Sequence, residues 1–255
     1  MSAGEAAARG FAGHHGLRLR DAGLSEGTGG LHVWLHAGAA AGHDFHAGAG
    51  SFAAAVAGLE RAAGRRIAVS TLLTRSNARV LVELPGLLQA RGVSAWRVVA
   101  PRLVGTPVRA PGGVQVAGVG ALDGLLPRLS VALPPALQAL ALARRLGLAI
   151  AVVGAPLCLL GPFAGVSLPG RGVFAAACEG CVARARCPGV DAGYLDRFGG
   201  DELSPRGLRA AEGAPAPAEL FLGTGVLEQV ATDMSPGTGP ARRRLPVIAG
   251  DGRAG

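Results

Sequence analysis

Short apolar runs alternate along the chain with stretches whose apolar residues recur at helical spacing. Residues 17–24 (Leu-Arg-Leu-Arg-Asp-Ala-Gly-Leu) read as the end of a helix, and residues 30–36 as a strand that buries Val33 and Leu35. Ser51 stands where a helix cap belongs, ahead of Phe52, Val56 and Leu59, with the helix running to about Ala63. Residues 66–73 form a second β-branched and leucine run, closed by Asn77, a good turn or cap residue. A helix over about 78–90 starts or kinks at Pro85 and stops at Gly92. Residues 94–100 are a third strand. Pro134-Pro135 open a helix to about Leu146, and a fourth strand at 148–153 follows Gly147. Residues 105–130 carry no assignable pattern.

The repeating order of helix and strand predicts an α/β fold of parallel strands joined by crossover helices. Four strands are few for a closed barrel. After residue 157 the pattern changes to loops that carry every cysteine. From 207 to 255, Ala, Pro and Gly dominate, so this tail is expected to be poorly ordered, with room for a short helix at 219–231. Three parts follow: 1–157, 158–206 and 207–255.

Composition alters this picture little. The chain has 255 residues and a net charge of +8, and all 25 basic residues are arginine. The arginines are scattered and aromatics make up only 4%, which argues against a nucleic-acid surface. Leu146 to Gly170 lacks any charge, but Pro156, Pro162, Pro169 and four glycines break it up, so a buried strand and loops are expected rather than a membrane span. Residues 1–30 interleave charges with glycine and have no apolar signal core, so a cytoplasmic location is expected.

Cys158, Cys178, Cys181 and Cys187 give C-x19-C-x2-C-x5-C within a short part of the chain. A two-residue spacer lets two thiolates face one metal or one cluster edge. Arg184 and Arg186 can offset the thiolate charge and favour the ligating form. An iron–sulfur cluster and a structural zinc both use four cysteines, and spacing does not separate them; disulfides would require export.

Residues 155–161 (Ala-Pro-Leu-Cys-Leu-Leu-Gly), 178–190 (Cys-Glu-Gly-Cys-Val-Ala-Arg-Ala-Arg-Cys-Pro-Gly-Val) and 193–199 (Gly-Tyr-Leu-Asp-Arg-Phe-Gly) together resemble the region after the barrel in radical S-adenosylmethionine (radical SAM) proteins. The C-x2-C-x5-C core resembles SPASM and twitch extensions, although Asp191 stands where a further cysteine would continue them. Residues 31–38 resemble the family's fourth barrel strand, with His43-Asp44 and Gly50-Ser51-Phe52 fitting the loop and helix start after it. Residues 69–77 (Val-Ser-Thr-Leu-Leu-Thr-Arg-Ser-Asn) resemble the fifth strand and its exit. The resemblance spans about residues 17–206. It implies a partial (β/α) barrel over 1–157, a loop-rich cysteine module over 158–206 and one auxiliary [4Fe–4S] cluster held by Cys158, Cys178, Cys181 and Cys187. It also implies S-adenosylmethionine contacts at Ser70, where many members have asparagine, and at Arg75, for which a surface arginine is the plainer reading. A peptide or small-molecule substrate and an electron donor would be the partners, with no nucleic acid and no membrane. No cysteine precedes Cys158, and a Gly-Gly-Glu-Pro motif is missing. The chain as given is therefore not expected to cleave S-adenosylmethionine alone, and no catalytic residue is assigned. A truncated or mis-started chain, beginning after the third strand, is the expectation. The alternative is a non-catalytic zinc-binding module built on the same four cysteines.

The six histidines all lie between His14 and His46. His43-x2-His46 beside Asp44 has metal-ligand spacing, with hydrogen-bonded loop histidines as the plainer reading. His32 and His36 share one face of their strand, and His36 sits near its carboxyl end. Neither G-x-G-x-x-G after a strand, nor a phosphate-loop lysine, nor G-x-S-x-G occurs, which leaves dinucleotide, P-loop and serine-hydrolase readings unsupported.

Overall fold

The computed structural model describes residues 17–18, 25–27, 30–62, 64–101, 125–170, 172–205 and 235–236. The expected features at 1–16, 105–124 and 219–231 lie outside the described residues.

The chain is α/β, with four parallel strands in sequential order. Strand β1 (Leu17–Arg18) pairs antiparallel with β7 (Ser235–Pro236). This corrects the reading of a helix end at Leu17–Arg18; residues 19–24 lie outside the described residues. The main sheet is ordered β2 (Ser25–Gly27), β3 (Gly30–Trp34), β4 (Arg66–Leu72), β5 (Ala95–Val99) and β6 (Ala149–Val153). Strands β3 to β6 are parallel, while β2 runs antiparallel to β3. Thus β2 covers an edge of β3 that the reading of 30–36 as the first strand left open.

Between the strands lie α1 (Ala40–Ala47), α2 (Ser51–Arg61), α3 (Leu84–Ala90) and α4 (Leu129–Arg145). The alternation of strand side chains decides the layers. Val33, Leu35, Ile67, Val69, Trp96, Val98, Ile150 and Val152 share one apolar core with Leu59, Leu84, Leu88, Leu133 and Leu140 of the helices. Trp96 fits there because its indole N–H donates to Thr71 Oγ1 (2.9 Å), whose hydroxyl donates to the Leu35 carbonyl (2.6 Å). The opposite face carries Ala68, Ala95 and Ala151 beneath Leu168, and it is buried as well.

Two helix starts differ from expectation. Gly50, at φ +78°, precedes α2, and the cap comes from Asp44, whose carboxylate accepts from Gly50 N (2.9 Å) and Phe52 N (2.7 Å). Ser51 instead donates to the Ala47 carbonyl (2.8 Å). Helix α4 begins at Leu129 rather than at Pro134-Pro135, and both prolines lie inside it. The carbonyls they leave without a helical donor belong to Ser130 and Val131, both exposed to water. Pro85 falls in the first turn of α3, after a 3₁₀ turn at Leu81–Glu83, as the missing proline N–H allows. Gly38 lets the β3 exit approach that turn, since a Cβ there would lie 2.9 Å from Glu83 Cβ.

After β6 come α5 (Leu157–Leu160), several 3₁₀ turns and α6 (Ala192–Phe198), capped by the Asp191 carboxylate. The charge-free stretch from Leu146 thus contains β6 and short turns. No helix among the described residues is long and apolar enough to cross a membrane.

Candidate functional site

Ligands of parallel sheets gather beyond the carboxyl ends of the strands. Here that edge presents His36 after β3, Thr74 to Asn77 after β4, and Cys158 just after β6.

All four cysteines line one cavity beside α5, together with Leu157, Val173, Phe174, Val190 and Leu203. Cys158 arrives on α5 as the chain leaves β6. Cys178 closes a 3₁₀ turn at Ala176–Cys178, and Cys187 follows another at Arg184–Arg186. None of the four forms a disulfide. Backbone amides aim at the sulfurs: Leu157 N–H donates to Cys187 Sγ (3.5 Å), and Ser204 N–H donates to Cys158. Burial is the main cause that pushes the Cys158 thiol above its ordinary range, and neighbouring Cys187 and Cys178 add to it. Arg184 lines the cavity and stacks over Phe174 at 5.0 Å.

A narrow clamp shapes this cavity. Val173 and Val190 exchange backbone hydrogen bonds (2.8 and 3.0 Å), and Gly172 N–H donates to the Pro188 carbonyl (2.8 Å). Both glycines are required by contact, because a Cβ on Gly172 would lie 2.6 Å from Pro188 O and one on Gly189 2.7 Å from Val173 O.

The remaining site residues are dispersed. Ser70 is fully buried on the sheet face opposite the helices, where its Oγ accepts from Arg97 Nε (2.5 Å) and lies 2.7 Å from His32 Nε2. Burial first, and the Arg97 charge second, hold His32 down at about 3, so its ring is neutral. Burial lowers Arg97 only to about 10, and it stays charged. Arg75 is exposed, and its backbone N–H donates to Leu125 O (2.8 Å). Ser70 and Arg75 therefore stand apart from the cysteines.

His36, His43 and His46 gather at the β3 exit, with ring centroids 5.5 Å (His36 to His43) and 5.7 Å (His36 to His46) apart. His43 and His46 lie on α1 rather than on a loop. His43 Nδ1 accepts from His36 N–H (3.0 Å), and His46 Nε2 lies 2.9 Å from Ser76 Oγ. Burial holds His43 down at about 4, against the opposing pull of Asp44, and keeps His36 well below its ordinary value. Asp44 is committed to capping α2, so the candidate His43–Asp44–His46 set is not assembled here, and the histidines are hydrogen-bonded as in the plainer reading. Among the described residues no group of three His, Cys, Asp or Glu side chains is arranged to hold a single metal ion.

Sequence reasoning missed Arg97 and the role of Asn77. Asn77 donates from Nδ2 to Leu72 O (2.7 Å) and His36 O (3.0 Å), and its Oδ1 accepts from Thr74 N (2.8 Å). It joins the carboxyl ends of β3 and β4. A lone arginine within an apolar strand, aligned with a serine on its neighbour, was the available signal for Arg97.

Comparison with models of protein families, with curated proteins and with solved structures finds no match to this chain.

Proposed function

We propose that Cys158, Cys178, Cys181 and Cys187 hold one [4Fe–4S] cluster, in a protein of radical SAM type represented here by a partial (β/α) barrel and its auxiliary-cluster segment. The observation that carries this reading is the shared cavity, which brings Cys158 to three cysteines that follow it by 20 residues or more. The donor set fits such a group: four thiols, an apolar lining, and amide N–H groups directed at sulfur, which tune and stabilise bound clusters. The choice of a cluster over zinc rests on the resemblance of residues 155–199 to the auxiliary-cluster segment of radical SAM proteins, since both groups accept four thiolates.

When bound, the cluster would supply one-electron transfer or a point of attachment for a peptide or small-molecule substrate. The chain itself holds and shields that site. Leu157, Val190 and Leu203 exclude water, the Leu157 and Ser204 amides offset charge on sulfur, and Arg184 adds a cation at the rim. With all four cysteines in one cavity, none is left to build a second cluster, so the chain alone is not competent to cleave S-adenosylmethionine. Ser70 and Arg75, the cofactor contacts that the resemblance implies, stand apart from this site, and Ser70 is fully buried between Arg97 and His32, so neither is given a role in this proposal. Anaerobic reconstitution with iron and sulfide tests it. A brown protein with broad absorption near ~400 nm that bleaches on reduction is expected; a colourless protein carrying one zinc overturns it.

A further inference from the structure

A second cavity, of about 720 Å³, lies between the exit of β4, the start of α4 and α6, away from the cysteines. Arg75, Arg79, Arg128 and Arg197 line it, and no carboxylate lines it among the described residues. The Glu202 carboxylate, which accepts from Ser130 N–H (3.0 Å) and the Tyr194 hydroxyl, stands beside the start of α4. Two of the arginines are held in place: the Arg128 and Arg197 guanidiniums lie 5.3 and 5.4 Å from the centroid of the Phe198 ring. The walls between the arginines are apolar, from Leu126, Pro127, Val131 and Pro135. The volume falls in the range of pockets that enclose a whole small ligand, roughly 300–1,000 Å³.

We infer that this cavity binds a small phosphorylated organic molecule, its phosphates met by the arginines and its apolar body by the α4 side. A guanidinium grips carboxylate and phosphate alike by two oxygens, but several arginines around one space suit phosphate, which carries more charge and more acceptor oxygens than a single carboxylate. The inference is independent of the cysteines and of any cluster.

Calorimetric titration of the full chain with inorganic pyrophosphate, adenosine diphosphate and a short single-stranded oligonucleotide tests it. Saturable binding of one pyrophosphate is expected, with adenosine diphosphate binding more tightly because it adds an apolar body. Arg79→Glu should weaken both by tenfold or more, as expected for loss of about one charged hydrogen bond. Arg79 is exposed, so an unchanged denaturation midpoint checks the fold of that variant. Val131→Asp, at another exposed wall position, should weaken binding in the same direction. Absence of pyrophosphate binding, binding unaffected by both variants, or an oligonucleotide that binds more tightly than adenosine diphosphate and loses that affinity in Arg79→Glu each overturns the inference.

Discussion

Replacing Gly189 by alanine should open the cysteine cavity without unfolding the sheet. Gly189 has φ +72°, where an L-residue costs roughly 1–2 kcal/mol. The new Cβ would lie 2.7 Å from Val173 O and 2.8 Å from Gly172 C, so the facing backbone has to retreat. Three backbone hydrogen bonds cross that interface, at 2.8, 2.8 and 3.0 Å. At about 1 kcal/mol each, their loss and the backbone strain together reach about 4–5 kcal/mol. The assay is amide hydrogen exchange at Val173 and Val190, read beside iron content after anaerobic reconstitution. Exchange there should accelerate by roughly a thousandfold, with iron loading lost and β4 and β5 amides still protected. Gly92→Ala separates strain from clash, because Gly92 has φ +67° with nothing near its Cβ position; it should leave iron loading intact. A Gly189→Ala protein with wild-type protection and full loading would refute the reasoning.

Asn77→Ala removes three hydrogen bonds at a buried position and leaves two carbonyls and one amide unpaired. A loss of about 3 kcal/mol or more in urea unfolding is expected, and a loss under 1 kcal/mol contradicts the joining role. Acid should destabilise the fold from near neutrality. His32 and His43 have folded values of about 3 and about 4, below the 6.5 of the unfolded chain, so the unfolded state binds more protons as pH falls. Their contribution is complete above about pH 6.5 and is lost on acidification toward their folded values, on the order of 2 kcal/mol each by about pH 5. Urea midpoints at the two pH values measure this, and equal midpoints argue against buried neutral histidines.

Much of the sheet was legible because β-branched and leucine runs mark β3 to β6 and the elements between them recur in order. Strand β2 was not, since Ser25-Glu26-Gly27 carries no apolar residue, and its pairing depends on β3 rather than on its own residues. Helix α1 escaped notice because Ala, Gly and His offer no apolar stripe at helical spacing. The start of α4 was misplaced for a physical reason: proline is favoured in a first turn, and only tertiary burial of Leu129, Ala132 and Leu133 extends the helix back past it. At the candidate site, the spacing of Cys178, Cys181 and Cys187 was visible, but the approach of Cys158 depends on the path of the chain out of β6. The Arg97–Ser70–His32 chain is a long-range contact and the Asp44 cap reaches across a turn to the next helix, and single-residue preferences encode neither.

Iron, acid-labile sulfide and zinc content per chain, measured after anaerobic reconstitution of the full protein and of Cys158→Ala, tests the central claim most directly. The account predicts about four irons and about four sulfides per wild-type chain, with reduced iron in the variant because the distant ligand is gone. One zinc without sulfide, or iron loading that is unchanged when Cys158 is removed, would contradict it.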